Sequence, residues 1–193
     1  MSASRASGLS LAGPTVATIL VRRVMAAYLF HMELLLIRHG LPIRREISNG
    51  RADPELSDDG HRQAEHLAKY LAAEQIHAIY ASPLLRAHQT AEHLARSHGL
   101  DIVTDDGVAE YDRDSNEYVA VEELKASNDP RWQAMLAGEW GHPNLAEGTD
   151  FFYPNYTSIH RVTAARSGER NVLTLNETYH LRGTGLPVGI YQG

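Results

Sequence analysis

The segment LLLIRHGLP, from Leu34 to Pro42, constrains the fold of this chain more than any other. Its consecutive aliphatic residues indicate a fully buried strand, which Gly40 and Pro42 bring to an end. Arg38 and His39 are therefore expected at the end of a strand. In an open α/β sheet this edge is where ligands bind, and the pair offers a permanent cation beside an imidazole that can act as donor, base or nucleophile. A solvated surface loop is the alternative interpretation.

From Glu33 onward, strand patterns alternate with helix patterns. Aliphatic residues recur at helical spacing in a segment that follows Ser57 and in another between Pro83 and Gly99. With short apolar runs before, between and after them, the β-α-β-α-β order predicts an α/β fold with a parallel sheet. The predicted parallel strands are Leu34–Ile37, Ala78–Ala81 and Ile102–Val103. Two segments that flank Ser167-Gly168 predict a C-terminal β-hairpin.

The first 32 residues differ in character from the rest of the chain. They contain no acidic residue and carry an apolar run from Leu9 to Val21, so they resemble a targeting segment. The run is too short to span a bilayer, and Gly13 and Pro14 interrupt it. Because Met32 directly precedes the first predicted strand, we interpret residues 1–32 as a non-essential extension that arises from an upstream start.

Composition limits the classes of function. A chain of 193 residues, 43% of them hydrophobic, predicts one soluble domain. The chain has no cysteine, which excludes disulfides, thiolate metal sites and cysteine nucleophiles and favours a cytoplasmic enzyme. The net charge of −6 is the wrong sign for a nucleic-acid-binding protein. His88, His93 and His98 follow one another at intervals that turn each about 140° around a helix, so they cannot converge on a metal. We predict no metal, cofactor, nucleic-acid or membrane partner.

Three cationic or titratable side chains are expected to meet at one edge of the sheet. The loops after the first and second predicted strands open on the same edge, which brings Arg38 and His39 close to Arg86. Guanidinium groups bind phosphate oxygens in pairs and stay charged at any working pH. The three side chains therefore predict a phosphoryl-transfer site that operates without a metal.

The chain resembles the histidine phosphatase superfamily, which includes the cofactor-dependent phosphoglycerate mutases. The resemblance is carried by LLLIRHG, DPELSDDGHRQAEHLAKYL, IYASPLLRAHQTAEHLA, VAEYDRD, NYTSIHRV and LNETYHL. It extends from Glu33 to about Leu136 and from Asp150 to Leu181. RHG alone is a weak motif, but RHG followed by SPLLRAHQTA at this spacing is specific. The resemblance implies a three-layer α/β fold, with a mostly parallel sheet, helices on both faces and a C-terminal hairpin.

The resemblance also implies roles for individual residues. His39 is the nucleophile that becomes phosphohistidine, and Arg38 and Arg86 hold the phosphoryl oxygens. Glu110, in VAEYDRD, is at the position of the acid that protonates the leaving group, although a surface carboxylate is its alternative interpretation. Arg45 is near a further phosphate contact of the family.

The chain departs from the family between the third strand and the terminal hairpin. There the family has a helix, an apolar strand that ends in a second histidine followed by glycines, and another helix. This chain has no aliphatic run between Leu145 and Ile159 that is long enough for a buried strand. His142 is the nearest histidine, but proline and asparagine follow it, and His160 lies inside a predicted strand. We therefore assign residues 33–181 to a histidine phosphatase-like domain with an internal deletion near 140–150.

The missing strand affects folding as well as chemistry, because in the family it lies between the RHG strand and the IYASP strand. A gap there would leave buried backbone donors and acceptors without partners, which costs about 1–3 kcal/mol for each group. Three outcomes are open. The two flanking strands pair directly, or another segment such as Thr15–Val21 fills the gap, or the chain folds poorly. Residues 182–193 form a C-terminal tail.

The expected function is hydrolysis of a small phosphorylated metabolite through a phosphohistidine intermediate, with activity impaired by the absence of the second histidine. A non-catalytic relative that binds phosphate or a protein partner is one alternative, and a deletion product without activity is another. Phosphatase activity is favoured over mutase activity because no insertion predicts a lid that excludes water. The sequence does not identify the substrate, and it leaves a homodimer open.

Overall fold

The computed structural model describes residues 17–26, 29–110, 113–136 and 154–189, which form a mixed α/β fold around a six-stranded sheet. The strands of this sheet are β1 (Thr18–Ala26), β2 (Leu29–Ile37), β4 (Ala78–Ala81), β5 (Ile102–Thr104), β7 (Ile159–Ala165) and β8 (Arg170–Glu177). A separate two-stranded ribbon consists of β3 (Arg45–Glu46) and β6 (Glu117–Tyr118). The helices are α1 (Asp58–Leu71), α2 (Leu85–His98), α3 (Val121–Ala126) and α4 (Pro130–Leu136). No helix within the described ranges is long and apolar enough to cross a membrane.

The strand order of the sheet is β5-β4-β1-β2-β7-β8. Strands β2, β4 and β5 point in the same direction, as predicted, because β1 is antiparallel to both β2 and β4 while β4 and β5 are parallel neighbours. The prediction of a mostly parallel sheet is nevertheless wrong, since β4–β5 is its only parallel pair among the described residues. Two residues separate β1 from β2, and so short a connection permits only antiparallel pairing.

Strand β1 lies between β2 and β4, the position at which the family resemblance predicts a strand. Thr18–Val21 pair with β4 on one side, and the whole of β1 pairs with β2 on the other. Direct pairing of β2 with β4 does not occur, and the segment that we interpreted as a non-essential extension contributes a central strand. Strand β1 runs antiparallel to both neighbours, so it begins at the edge of the sheet where β2 and β4 end.

One face of the sheet carries the main core. Leu20, Leu35 and Ile79 align across β1, β2 and β4, and all three are fully buried. Helices α1 and α2 contact each other and cover this face with a shared apolar stripe. The helical residues of this core are Leu67, Ala68, Leu71, Ala91 and Leu94. Within the described residues both long helices lie on this one face, and the helices predicted on the opposite face are not seen.

Local signals in the sequence account for the ends of the elements. Ser57 caps α1 by accepting a hydrogen bond from the Gly60 N–H at 3.1 Å. Gly99 ends α2 in the left-handed conformation, with a φ of 64° that suits glycine. The C-terminal hairpin of β7 and β8 is confirmed, with Gly168 at its turn at a φ of 105°. The α/β class and the hairpin thus follow the prediction.

Candidate active site

The structure brings three of the predicted site residues together at the carboxyl ends of β2 and β4. Arg38 and His39 directly follow β2, and Arg86 lies in the first turn of α2, just after β4. Their exposed fractions are 2%, 0% and 1%, respectively. The parallel orientation of β2 and β4 explains the convergence, because both strands deliver their next residues to the same edge.

The His39 ring is held as one tautomer. Its Nδ1 lies 2.7 Å from the Gly40 carbonyl oxygen, so Nδ1 carries the hydrogen and donates it. Nε2 is left with its lone pair. Burial lowers the pKa of His39 from 6.5 to about 4, because the opposing effect of Glu110 is smaller and Arg86 adds to the lowering. The imidazole is therefore neutral at physiological pH, which is the form that a nucleophile requires.

The loop after His39 contacts both long helices, α1 and α2. The Gly40 N–H donates to Thr90 Oγ1 at 3.0 Å, and Thr90 Oγ1 donates in turn to the Arg86 carbonyl at 2.8 Å. A β-carbon on Gly40 would lie 2.6 Å from the Gly60 carbonyl oxygen, closer than side chains approach backbone in real structures. Glycine is therefore required in RHG by the close approach of this loop to α1.

Glu110 links two of these residues. Its Oε2 accepts a hydrogen bond from Arg86 Nη2 at 2.7 Å and lies 3.5 Å from His39 Nε2. Burial by itself raises the pKa of Glu110, but Arg86 and His39 together outweigh this effect and hold the pKa well below its usual range. Glu110 is thus a carboxylate in this structure, and it can act as a proton donor only when the influence of Arg86 is offset.

Two tyrosines that the sequence analysis missed complete the site. The Tyr156 ring lies 4.2 Å from the Arg38 guanidinium carbon, and the Tyr118 ring lies 4.7 Å from that of Arg86. Both rings also flank His39, at centroid distances of 6.2 and 6.3 Å. Tyr156 belongs to the NYTSIHRV motif and could have been noticed there, whereas Tyr118 lies in no motif. Stacking on aromatic faces orients guanidinium groups and shields them from water.

The chain segment around Tyr156 is strained. Thr157 has a φ of 51°, which is unusual for a β-branched residue, and its N–H lies 3.3 Å from the His39 carbonyl oxygen. Such strain persists only where surrounding contacts impose it and is common at functional sites. Here it supports the backbone of His39.

The structure does not bring Arg45 to the site. Arg45 lies exposed in β3, opposite Tyr118 of β6. Within the described residues, its side chain forms no hydrogen bond or ion pair with Arg38, His39 or Arg86. The ribbon nevertheless places Arg45 beside the residue that covers Arg86, so its role as an outer phosphate contact stays a prediction.

No second histidine is found beside His39 Nε2 in the described ranges. His142 lies outside them. His160 is in β7, where its Nε2 lies 3.2 Å from Ser158 Oγ and its Nδ1 accepts a hydrogen bond from the Asn176 N–H at 3.2 Å. These contacts direct both ring nitrogens of His160 to β7 and β8. In the same ranges, no three His, Asp or Glu side chains are grouped so that they could hold a metal.

Comparison with known proteins gives the family. A family model described as Histidine phosphatase superfamily (branch 1) matches residues 34–174. Phosphoserine phosphatase 1 from Hydrogenobacter thermophilus is 35% identical over 97 residues, which is 48% of this chain and 45% of that protein. A bifunctional protein from Mycobacterium tuberculosis is 42% identical over 107 residues, which is 51% of this chain and 29% of that protein. The chain thus spans less than half the length of these relatives.

Solved structures show the same fold. Phosphoserine phosphatase from Entamoeba histolytica, in complex with 3-phosphoglyceric acid, superposes with a TM-score of 0.54 at 22% identity, over 77% of this chain and 98% of that one. The mycobacterial glucosyl-3-phosphoglycerate phosphatase with inorganic phosphate gives a TM-score of 0.52 at 19% identity, over 77% and 98% of the two chains. Since the family model matches well over half of the sequence, this chain belongs to the histidine phosphatase superfamily.

Proposed function

We propose that this chain hydrolyses phosphomonoesters of small metabolites through a phosphohistidine at His39. The hydrogen bond from His39 Nδ1 to the Gly40 carbonyl, at 2.7 Å, is the observation that carries the proposal. It leaves a neutral Nε2 lone pair beside two guanidinium groups, and this combination is suited to attack on a phosphoryl group. The relatives that are named phosphatases support the same chemistry.

In the first half-reaction, His39 Nε2 forms a bond to phosphorus as the ester P–O bond breaks. Arg38 and Arg86 stabilise the charge on the equatorial phosphoryl oxygens, because their planar donors match pairs of oxygens. The departing alkoxide takes a proton from Glu110 and leaves as an alcohol. In the second half-reaction, water attacks phosphorus, the N–P bond breaks, and Glu110 takes the proton that water loses. Inorganic phosphate and neutral His39 are the products.

Glu110 needs the substrate to acquire its proton. In the absence of a ligand, Arg86 holds the pKa of Glu110 far below neutrality. A bound phosphoryl group competes for the Arg86 guanidinium and brings negative charge close to the carboxylate. Both effects raise the pKa of Glu110. A substrate that arrives as the monoanion can also deliver the proton itself.

We expect slow turnover. A second histidine that flanks the phosphoryl group in the family has no counterpart in the described site, and the loss of one such preorganised donor typically reduces the rate by about 10²–10³. The described site is also closed, because His39 is 0% exposed beneath Tyr118 and Tyr156. Substrate binding therefore requires the groups that cover His39 to move.

A non-catalytic phosphate-binding protein is the second candidate, and the burial of the site favours it. Arg86 already pairs with Glu110 at 2.7 Å, so a phosphate must displace an internal ion pair. This candidate predicts that phosphate or vanadate binds but that no ester is cleaved.

The test is hydrolysis of p-nitrophenyl phosphate and small sugar phosphates by the full chain, its His39→Ala variant and a His88→Ala control. His88 is a surface residue of α2 that contacts only Glu92 among its described polar neighbours. We expect His39→Ala to abolish hydrolysis, with the control and a chelator without effect. Rapid quenching should trap a phosphoenzyme with the mass of one added phosphoryl group. Activity that survives His39→Ala would refute the proposal, and vanadate binding without hydrolysis would favour the second candidate.

A further inference from the structure

A buried histidine that the proposed mechanism does not use contacts the segment that supports His39. His180 lies in a 3₁₀ turn at Tyr179–Leu181, shortly after β8, and is 8% exposed. Its Nε2 lies 2.8 Å from Thr157 Oγ1. The imidazole of His180 is thus a polar group that the fold keeps out of water and directs at the residue next to the nucleophile.

The hydrogen bonds of Thr157 fix the tautomer of His180. Thr157 Oγ1 lies 2.8 Å from the Tyr156 carbonyl oxygen and 2.8 Å from His180 Nε2. A carbonyl oxygen can only accept, so the hydroxyl hydrogen goes to it and His180 Nε2 carries the hydrogen of the other bond. His180 Nδ1 is then the bare nitrogen, which has no hydrogen-bond partner among the described residues. Burial lowers the pKa of His180 to about 4, so at physiological pH the ring is neutral and donates a single hydrogen bond, to Thr157.

Thr157 connects this contact to the nucleophile. Its backbone has a φ of 51°, and its N–H donates to the His39 carbonyl oxygen at 3.3 Å. A β-branched residue keeps a positive φ only where surrounding contacts impose it. The bond from His180 is one such contact, because it holds the Thr157 side chain in place. Without it, Thr157 can relax toward an extended backbone and withdraw its N–H from His39.

The C-terminal segment that carries His180 is also tied to the loop that follows His39. Gln63 of α1 is fully buried, donates to the Pro187 carbonyl with Nε2 at 2.6 Å and accepts from the Leu41 N–H with Oε1 at 2.7 Å. One side chain therefore joins the C-terminal segment to the residue two positions after His39. His180 projects from a segment that is itself held against the site, so it can act as a fixed donor.

We propose that His180 is a positioning residue for phosphoryl transfer: its Nε2–H holds Thr157, and Thr157 holds the His39 backbone so that Nε2 of His39 faces the phosphorus atom. Such a residue matters because in-line attack is sensitive to geometry, and a displacement of the nucleophile by about 1 Å can reduce the rate about a hundredfold. The inference rests on the proposed function, because it concerns the same nucleophile.

The test changes the residue on each side of the bond. His180→Leu removes the donor and keeps an apolar side chain in the space, whereas His180→Gln keeps an N–H donor. Thr157→Val removes the hydroxyl at nearly the same shape, whereas Thr157→Ser retains the hydroxyl. Leu181→Ala is the matched control, since Leu181 is an apolar residue of the same turn and is 3% exposed.

Three quantities are measured at a temperature at which circular dichroism shows the variants folded. They are kcat for p-nitrophenyl phosphate, the Kd of inorganic phosphate from calorimetry, and the NMR signal of the His39 Nδ1–H proton. This signal reports the 2.7 Å hydrogen bond to the Gly40 carbonyl, and it requires no hydrolysis. We expect His180→Leu and Thr157→Val each to shift the signal and to lower kcat by about ten- to a hundredfold.

Phosphate affinity should change far less than kcat. Arg38 keeps its hydrogen bond to the Pro154 carbonyl at 2.8 Å, and Arg86 keeps its contact with Glu110, so neither guanidinium depends on His180. The split between kcat and Kd separates the positioning of the nucleophile from a general loss of structure, which would weaken both.

The double variant of His180→Leu and Thr157→Val should be no slower than either single variant, because both changes remove the same bond. His180→Gln and Thr157→Ser should restore kcat and the His39 signal, and Leu181→Ala should leave both unchanged. Full kcat with an unshifted signal in His180→Leu would overturn the inference, and so would a loss that adds to that of Thr157→Val. If the full chain does not hydrolyse the ester, the proposed function is refuted, and the His39 signal alone decides the role of His180. If His180→Leu does not fold, the two Thr157 variants supply the same comparison.

Discussion

Removal of residues 1–26 is expected to abolish cooperative folding, because β1 lies between β2 and β4. Complete burial of Leu20 contributes about 1.5–3 kcal/mol. The backbone of β1 pairs with both neighbouring strands, Ala17 just before it donates to the Ile37 carbonyl at 3.0 Å, and each such bond adds about 1 kcal/mol. Several of these terms together approach the total stability of about 5–15 kcal/mol that is typical of a domain.

The assay is urea unfolding of the full and the truncated chain, followed by far-ultraviolet circular dichroism. Two point variants in β1 are expected to cause smaller losses of stability than the truncation. Leu20→Ala leaves a cavity in the core and should cost about 2–5 kcal/mol, which lowers the Tm by roughly 2–4 °C per kcal/mol in a chain of this size. Ile19→Ala, on the opposite and partly exposed face of β1, should cost less. If the truncated chain unfolds cooperatively at the same urea concentration as the full chain, β2 and β4 can pair directly and the reasoning is refuted.

Three further results are expected. Burial lowers the pKa of both His160 and His180 from 6.5 to about 4. Their contribution to stability is therefore complete above pH 6.5 and is lost as the pH falls toward 4. Urea unfolding at pH 5 should show a loss of about 1–2 kcal/mol in the free energy of unfolding for each histidine. Gly40→Ala should lower both Tm and phosphate affinity, since the new methyl group meets the Gly60 carbonyl at 2.6 Å, and an unchanged Tm would contradict that contact. In pH-jump assays, kcat/KM should fall below pH about 4, where His39 of the free enzyme becomes protonated. An acidic limb near pH 6.5 would show that the His39 ring is not buried in the free enzyme.

The core of the candidate site was predictable because its residues belong to local patterns. A buried strand that ends in Arg38-His39, and a helix that begins shortly before Arg86, are each visible within about ten residues of sequence. The rule that parallel strands open on one edge then brings the two segments together. No side-chain contact had to be known for this step. The fold class and the C-terminal hairpin followed from the same kind of local periodicity.

Other features depend on contacts between distant segments. Tyr118 and Tyr156 stack on Arg86 and Arg38 only because the β3–β6 ribbon and the segment before β7 both come close to the sheet edge that carries the arginines. The low pKa of Glu110 likewise depends on the 2.7 Å contact with Arg86. Neither the spacing nor the composition of these segments carries that information, since electrostatic effects depend on distance and burial in three dimensions.

The α/β class, the superfamily and the convergence of Arg38, His39 and Arg86 could be inferred without coordinates, because strand and helix periodicity and the RHG and SPLLRA motifs are local. The position of Thr18–Ala26 at the centre of the sheet became clear only from the three-dimensional arrangement of the strands. An apolar run of this length is compatible with a strand, a targeting segment or a disposable extension. Its position depends on which strand edges lack a partner, and the two-residue connection to β2 makes the pairing antiparallel. Hydrogen-bond partners along a strand edge come from anywhere in the chain, so the local sequence cannot specify them.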